Sequence, residues 1–186
     1  MDNSKEYDEL AETKAGSEEI FKGRILHVFN DRVRLPDGKM SSREVIRHIG
    51  AVCIIPVTDD GKIVLERQYR YPVDQVATEI PAGKLDSPDE DRLDAAKREL
   101  KEETGYTADN WIDLGLFYSA FAYSDEKISM FLATGLHKGE RRLDAGEFLN
   151  VFELPLDEAV DQVMSGKITD SKTQTGILKA ARYLGL

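Results

Sequence analysis

Residues 89–105 constrain this chain more than any other segment. They are rich in strong helix formers, and Gly105 stands where such a helix would end. They also concentrate carboxylates. Glu99 and Glu103 are four residues apart, so a helix stacks them on one face, and Glu102, three from Glu99, flanks the same edge. Leu93, Ala96 and Leu100 fall on an adjacent face that can bury against a sheet. Like charges at four-residue spacing cost an isolated helix about 0.2–0.5 kcal/mol per pair, so something must offset them. One reading is a solvated acidic face neutralised by Lys97, Arg98 and Lys101. The other is a site for a hard divalent cation, which prefers carboxylate oxygens.

The flanking sequence is organised around strands. Signals begin at Ile20: residues 20–35 mix apolar, polar and β-branched side chains and end in the turn Pro36-Asp37-Gly38. Residues 43–47 and 51–57 read as further strands. Asp59-Asp60-Gly61 marks a second turn, after which residues 62–65 are expected to form the hairpin partner of 51–57. Residues 69–79 are less regular. Strand signals return at 111–118, 127–134 and 148–154. Residues 156–164 and 171–184 have helical periodicity, the latter with Ile177, Leu178, Ala181 and Leu184 on one side. Residues 1–19 are polar and acid-rich, and are expected to be partly disordered or to form a short arm. The sum predicts an α+β protein, a mostly mixed sheet with helices packed outside.

Charge narrows the function. A net charge of −10 repels a polyanion over most of the surface, and the densest basic spot is only Arg141-Arg142, so nucleic-acid binding is not expected. A small phosphate compound remains compatible, since divalent ions bridge acidic side chains to phosphate. The single cysteine, Cys53, lies in the apolar run 51–55 and reads as a buried structural thiol; no intrachain disulfide can form. His27, His48 and His137 lack zinc-ligand spacing. The first residues carry no apolar signal stretch and no run approaches 18 apolar residues, so neither export nor membrane insertion is expected and a cytoplasmic location is.

The wider pattern decides between the two readings of the acidic helix. It runs Gly83, six residues, Glu90, seven residues, Arg98-Glu99-Leu100, one residue, Glu102-Glu103, one residue, Gly105-Tyr106. This resembles the signature of the Nudix hydrolases. From Glu90 onward every position matches in type and spacing. The departure is the six residues after Gly83, where the family has five. Since Glu90 is in register with Arg98, a one-residue insertion in the loop at 85–89 is expected, where it is tolerated cheaply. The resemblance implies a Nudix-type α/β/α sandwich with a mixed β-sheet and an N-terminal antiparallel β arm. It makes Glu99 and Glu103 metal ligands, often joined by Glu102 and by the carbonyl of Ala82, with Mg²⁺ as the cofactor and Mn²⁺ as the alternative. Glu90 pairs with Arg98, and Gly83, Glu90, Arg98 and Gly105 are structural.

Further segments resemble the bacterial ADP-ribose pyrophosphatases within that family: Phe21-Lys-Gly-Arg24, Leu35-Pro-Asp-Gly-Lys39, Gly50-Ala-Val52, Gln68-Tyr-Arg70, Glu79-Ile-Pro-Ala-Gly83, Ser124-Asp-Glu126 and the run 166–173. The likeness implies a small nucleotide substrate and a homodimer of the domain-swapped kind. Residues 20–48 would serve dimerisation and the adenosine side, and 49–186 would form the hydrolase domain. Arg70, Glu79 and Arg43 become candidate substrate contacts. The general base is expected in the late loop 143–148, where Glu147 and Asp144 are both candidates, with Glu102 a further catalytic candidate. Relatives that cleave ADP-ribose carry a proline sixteen residues after the box glycine; here that position is Phe121, followed by Ala122 rather than glycine. Hydrolysis of ADP-ribose to AMP and ribose 5-phosphate is therefore the first expectation and another nucleoside diphosphate sugar the second. A non-catalytic nucleotide-sensing module is a third, disfavoured because the box glutamates are intact and the segment after Phe152 has no basic recognition helix.

Overall fold

The structure, a computed structural model, describes residues 8–143, 146 and 148–186. The chain divides into two compact units, residues 1–48 with 120–126, and residues 49–119 with 127–186. The sequence reading leaves 120–126 in the second part; the structure attaches it to the first.

The first unit is an antiparallel meander of β1 (Thr13–Lys22), β2 (His27–Arg34) and β3 (Met40–Arg47). The β2–β3 turn closes as the Pro36-Asp37-Gly38 signal predicts: Gly38 takes φ +84°, and its N–H donates to the Leu35 carbonyl at 2.9 Å. Strand structure begins at Thr13, ahead of the Ile20 start expected from composition. The early part of β1 is held by the ladder to β2 and by polar links, with Ser17 and Lys14 both engaging the buried Asp31 carboxylate, so it lacks the apolar alternation that marks a strand in sequence. Residues 120–126 lie along β3: the Ile46 N–H donates to the Tyr123 carbonyl at 2.7 Å, and Asp125 accepts from the His48 N–H at 2.8 Å.

In the second unit, β4 (Ala51–Pro56), β5 (Lys62–Arg70), β6 (Gln75–Glu79), β7 (Ala82–Lys84), β8 (Tyr106–Tyr118), β9 (Lys127–Lys138) and β10 (Asn150–Pro155) form two sheets. One has the order β7-β4-β9-β8 and is mixed, with β4 and β9 parallel; the other, β10-β5-β6, is antiparallel. The hairpin expected between 51–57 and 62–65 does not form: the two strands pair through backbone hydrogen bonds at the isolated bridge Val57–Ile63 and nowhere else. Both edges of β4 are already occupied, by β7 and β9, so β5 leaves the turn for the other sheet.

Every residue of β4 is buried, and its alternation feeds two cores. Val52 and Ile54 pack with Ala95, Ala96 and Leu100 of the acidic helix, while Cys53 and Ile55 pack with Leu65, Ile80, Ile177 and Ala180. The sheet is thereby sandwiched between α1 (Arg92–Glu99) on one face and α2 (Leu156–Met164) with α3 (Ser171–Leu184) on the other. This is the expected α+β sandwich. Two expected members of the α3 stripe, Leu178 and Leu184, prove exposed, because the helix turns Thr173, Gly176, Ile177, Ala180 and Ala181 inward instead. Gly176 is where α3 comes closest, since an added Cβ would lie 3.0 Å from both Ile55 and Ile80.

Candidate active site

The acidic helix starts at Arg92, later than the expected 89, because Asp91 is its N-cap: its carboxylate accepts from the N–H groups of Leu93 at 2.9 Å and Asp94 at 3.0 Å. Past Glu99 the helix widens into one π turn, Leu100–Thr104, and ends at Gly105 with φ +79°. Such a turn is often found at functional sites. Here it carries Glu102 and Glu103, directly after Glu99 at the end of α1. Gly105 is needed for more than its φ. An added Cβ would sit 2.8 Å from the Gly139 carbonyl oxygen and 2.9 Å from the Arg141 nitrogen. The Arg142 N–H donates to the Glu102 carbonyl at 3.0 Å, so the stem of the late loop is tied to the end of the acidic helix.

Glu99 and Glu103 are both buried, at 9% and 7% exposure, while the Glu102 side chain is 44% exposed. The Glu99 carboxylate lies directly over Gly83: a Cβ there would fall 1.9 Å from its carboxyl carbon. That explains the glycine by close approach, since its φ is ordinary. Glu103 turns to the same strand, accepting from the Ala82 N–H at 3.0 Å. Glu99, Glu103, Gly83 and Ala82 thus come together as a unit across β7 and the helix.

Arg98 is the hub of the acids. It reaches Glu99 at 2.7 Å, Glu90 at 3.2 Å, Glu102 at 3.3 Å and Asp86 at 3.5 Å. Its partial burial works against the charge, yet Glu90 and Glu99 more than offset this, and the guanidinium is held protonated well above its ordinary range. Glu90 also accepts from the Asp86 N–H at 2.7 Å, and the Arg98 guanidinium and that N–H together hold its carboxyl below the usual carboxylate range.

Arg70 and Glu79, both candidate substrate contacts, are joined to each other. Arg70 grips Glu79 bidentately, Nε to Oε1 at 2.7 Å and Nη2 to Oε2 at 2.8 Å. Glu79 is almost fully buried, while Arg70 is 42% exposed. The ammonium of Lys172, on the first turn of α3, joins the same Glu79 oxygen and reaches Asp170 at 2.9 Å. Burial alone would raise the Glu79 carboxyl; Arg70 and Lys172 outweigh it and hold the group below its ordinary range. Asp170 caps α3 through the Thr173 N–H at 3.0 Å, and the Thr173 hydroxyl accepts from the Ile80 N–H at 2.9 Å. The start of α3 therefore fixes the strand end that leads into Ala82-Gly83.

Sequence reasoning missed Lys172, Asp170 and Thr173 as individuals. An Asp immediately before a helical run is an N-cap signal that would have found Asp170; nothing local marks Lys172. Arg43 lies in the first unit on β3, paired with Glu12. Asp144 and Glu147, the two candidate bases, lie outside the described residues. Phe121 is 82% exposed in the tight turn at 120–123. Cys53 is fully buried, and burial pushes its thiol up to about 12.

Together these features set carboxylates mounted on a helix against a glycine-bearing strand. A NUDIX domain model matches residues 47–173, and a nucleoside diphosphate sugar hydrolase N-terminal domain model matches residues 12–46. The chain belongs to the Nudix family and is a Nudix hydrolase. Within it, the chain falls in the ADP-ribose pyrophosphatase subgroup. It is 41% identical over 170 residues to the ADP-ribose pyrophosphatase of Bacillus subtilis, covering 90% of this chain and 91% of that one. It is 42% identical over 172 residues to the methanol dehydrogenase activator of Bacillus methanolicus, covering 91% and 90%. The fold matches the crystal structure of an ADP compounds hydrolase with a TM-score of 0.83 at 24% identity, covering 93% of this chain and 94% of that one. No described helix is long and apolar enough to cross a membrane.

Proposed function

We propose that the protein hydrolyses the pyrophosphate bond of ADP-ribose, adding water to give AMP and ribose 5-phosphate with the help of Mg²⁺, or Mn²⁺ in its place. The observation that carries this reading is the Glu99 carboxylate pressed onto Gly83 beside Glu103, two buried acids of the helix against a strand position that tolerates no side chain. Among the described residues no three His, Cys, Asp or Glu side chains form a closed cage. The donors nonetheless suit a hard cation: all are oxygens, and four carboxylates gather within 3.5 Å of Arg98. Glu99, Glu103, Glu102 and the Ala82 carbonyl would hold it. When bound, the ion neutralises diphosphate charge and acidifies water.

The chain's own residues do the rest. Arg98 holds Glu99 and Glu90 in place. Arg70, half exposed with a planar fork, suits the diphosphate or the terminal ribose. Glu79 supports Arg70 and is a candidate partner for a ribose hydroxyl, and Arg43 is a candidate contact from the N-terminal strands. Glu147, with Asp144 as the alternative, takes the proton of the attacking water from a loop whose stem is anchored at Glu102 and Gly105. A homodimer is part of this reading, supported by the exposed apolar side chains Ile20, Phe21, Ile25 and Leu26 of the first unit. Analytical ultracentrifugation tests it: a monomer at micromolar concentration removes it.

A second reading, another nucleoside diphosphate sugar as substrate, is favoured by Phe121, whose exposed ring stands where proline is expected. One assay separates the two. The pure protein is incubated with Mg²⁺ and ADP-ribose, GDP-mannose, UDP-glucose, diadenosine polyphosphates or nucleoside triphosphates, and products are identified by mass. Fastest release of AMP and ribose 5-phosphate supports the first reading. Preference for another sugar nucleotide makes the 120–123 turn the place to look for specificity. No turnover of any compound overturns both and leaves the sensing module.

A further inference from the structure

Arg70 presents a conflict. A side chain that is to receive an anionic substrate already commits two of its five N–H donors, on Nε and Nη2, to Glu79 in bidentate geometry. Leaving Glu79 would strip a buried carboxylate of its partner, and an uncompensated buried charge is expensive. Lys172 resolves the conflict. Its ammonium, on a side chain only 13% exposed, sits on Glu79 Oε2 and is steadied by Asp170 at 2.9 Å, a residue fixed in turn by its cap on α3. Glu79 therefore has a second cationic partner besides the half-exposed Arg70, a rigid and buried one that it shares with Asp170.

We propose that Lys172 is a positioning residue that keeps Glu79 compensated, so that Arg70 is free to swing from Glu79 onto the diphosphate or terminal ribose of the substrate. Asp170 orients the ammonium without reaching the substrate itself. The arrangement explains why a lysine that never faces solvent freely is placed at the first turn of α3, where a cation is unfavourable to the helix dipole. This inference rests on the reading of Arg70 as a substrate contact, and the test separates the two.

Steady-state kinetics with ADP-ribose and Mg²⁺ are compared for the wild type, Arg70→Ala, Lys172→Met, Glu79→Gln and the double variant Lys172→Met/Glu79→Gln, each checked for folding by its thermal transition. With Lys172 gone, Glu79 retains Arg70, and KM is expected to rise about tenfold or more, the scale of a lost charge-assisted hydrogen bond, with a smaller change in kcat. Neutralising Glu79 as well releases Arg70, so the double variant is expected to bind better than Lys172→Met alone. A purely structural lysine gives the opposite: the second substitution leaves KM as high or raises it further. If Arg70→Ala leaves KM unchanged, Arg70 is no substrate contact and that reading falls with the inference. If Arg70→Ala raises KM but Lys172→Met does not, or Glu79→Gln fails to suppress it, Arg70 keeps its role and the inference alone is overturned. If Lys172→Met is too unstable to assay, the double variant is compared with Glu79→Gln: equal KM is expected, since Arg70 is released in both, and a higher KM in the double variant overturns the inference.

Discussion

Two ionic clusters of the second unit are built in opposite senses. Around Arg98, one guanidinium serves four carboxylates, Glu90, Glu99, Glu102 and Asp86, within 3.5 Å. Around Glu79, one buried carboxylate is served by two cations, Arg70 and Lys172. The first gathers four carboxylates on one guanidinium and suits a cation; the second sets Arg70 and Lys172 against Glu79 and Asp170, so its charges balance and its half-exposed member is the cation Arg70. The same side-chain chemistry gives different affinities because the local stoichiometry differs. Under the proposed function the first would gather metal and the second would orient the negatively charged substrate.

The sharpest way to break this contrast is at the acidic cluster. Glu103→Gln keeps the shape and a hydrogen bond to Ala82 but removes one charge. We expect turnover to fall by orders of magnitude with the thermal transition little changed. Near wild-type turnover would end the metal assignment. Gly83→Ala attacks the same place from the strand: its methyl group overlaps the Glu99 carboxyl carbon, so Glu99 must move. Activity lost in both variants, with Mg²⁺ affinity measured by titration calorimetry weakened in both, is the expected pattern. An active Gly83→Ala protein would show that the position of Glu99 is not what the chemistry uses.

Glu147→Gln comes next. General-base catalysis contributes about 10²–10⁴-fold, so kcat should drop on that scale while Mg²⁺ affinity stays near wild type. An unchanged kcat moves the assignment to Asp144, tested in the same way. A matching loss of metal affinity would instead place Glu147 with the acidic cluster.

Legibility in the sequence follows the same contrast. The Arg98 cluster was readable because four of its members, Glu90, Arg98, Glu99 and Glu102, lie on or just before one helix, and helical spacing converts sequence distance directly into space. The Glu79 cluster joins β5, β6 and α3 across 93 residues between Glu79 and Lys172, and no local periodicity records such a meeting. Resemblance pointed to Arg70 and Glu79 but left Lys172 anonymous within the run 166–173. The strands show the same split. The helices 156–164 and 171–184 were placed by their apolar period, whereas the 51–57/62–65 hairpin failed because sheet partnership depends on which edges distant strands have already taken. β1 escaped at its start because cross-strand pairing, not apolar alternation, holds it.

A smaller effect separates the clusters by pH. The Glu79 carboxyl titrates below its ordinary value of 4.5 in the folded protein. The stability it contributes is therefore fully present above 4.5 and is lost as pH falls through the lowered folded-state value. We expect denaturant melts to show the wild type losing stability below about pH 4.5, with Glu79→Gln giving a shallower acid slope across that window. An identical slope in both would mean that Glu79 is not held ionised by Arg70 and Lys172, and the cationic half of the contrast would go with it.

The smallest expected effect tests whether chemistry is confined to the two clusters. Cys53 is the one thiol in the chain, fully buried on β4 with its pKa raised to about 12, so at neutral pH it carries almost no thiolate to act as a nucleophile. Folded protein should resist alkylation by iodoacetamide and react once denaturant opens the core. Cys53→Ala should retain kcat and KM and lose on the order of 1 kcal/mol of stability from the small cavity beside Ile55 and Ile177. A kinetic defect in that variant without a fall in stability would place a third functional group behind β4, on the side of the sheet that packs against α3, and neither cluster would then suffice to account for the site.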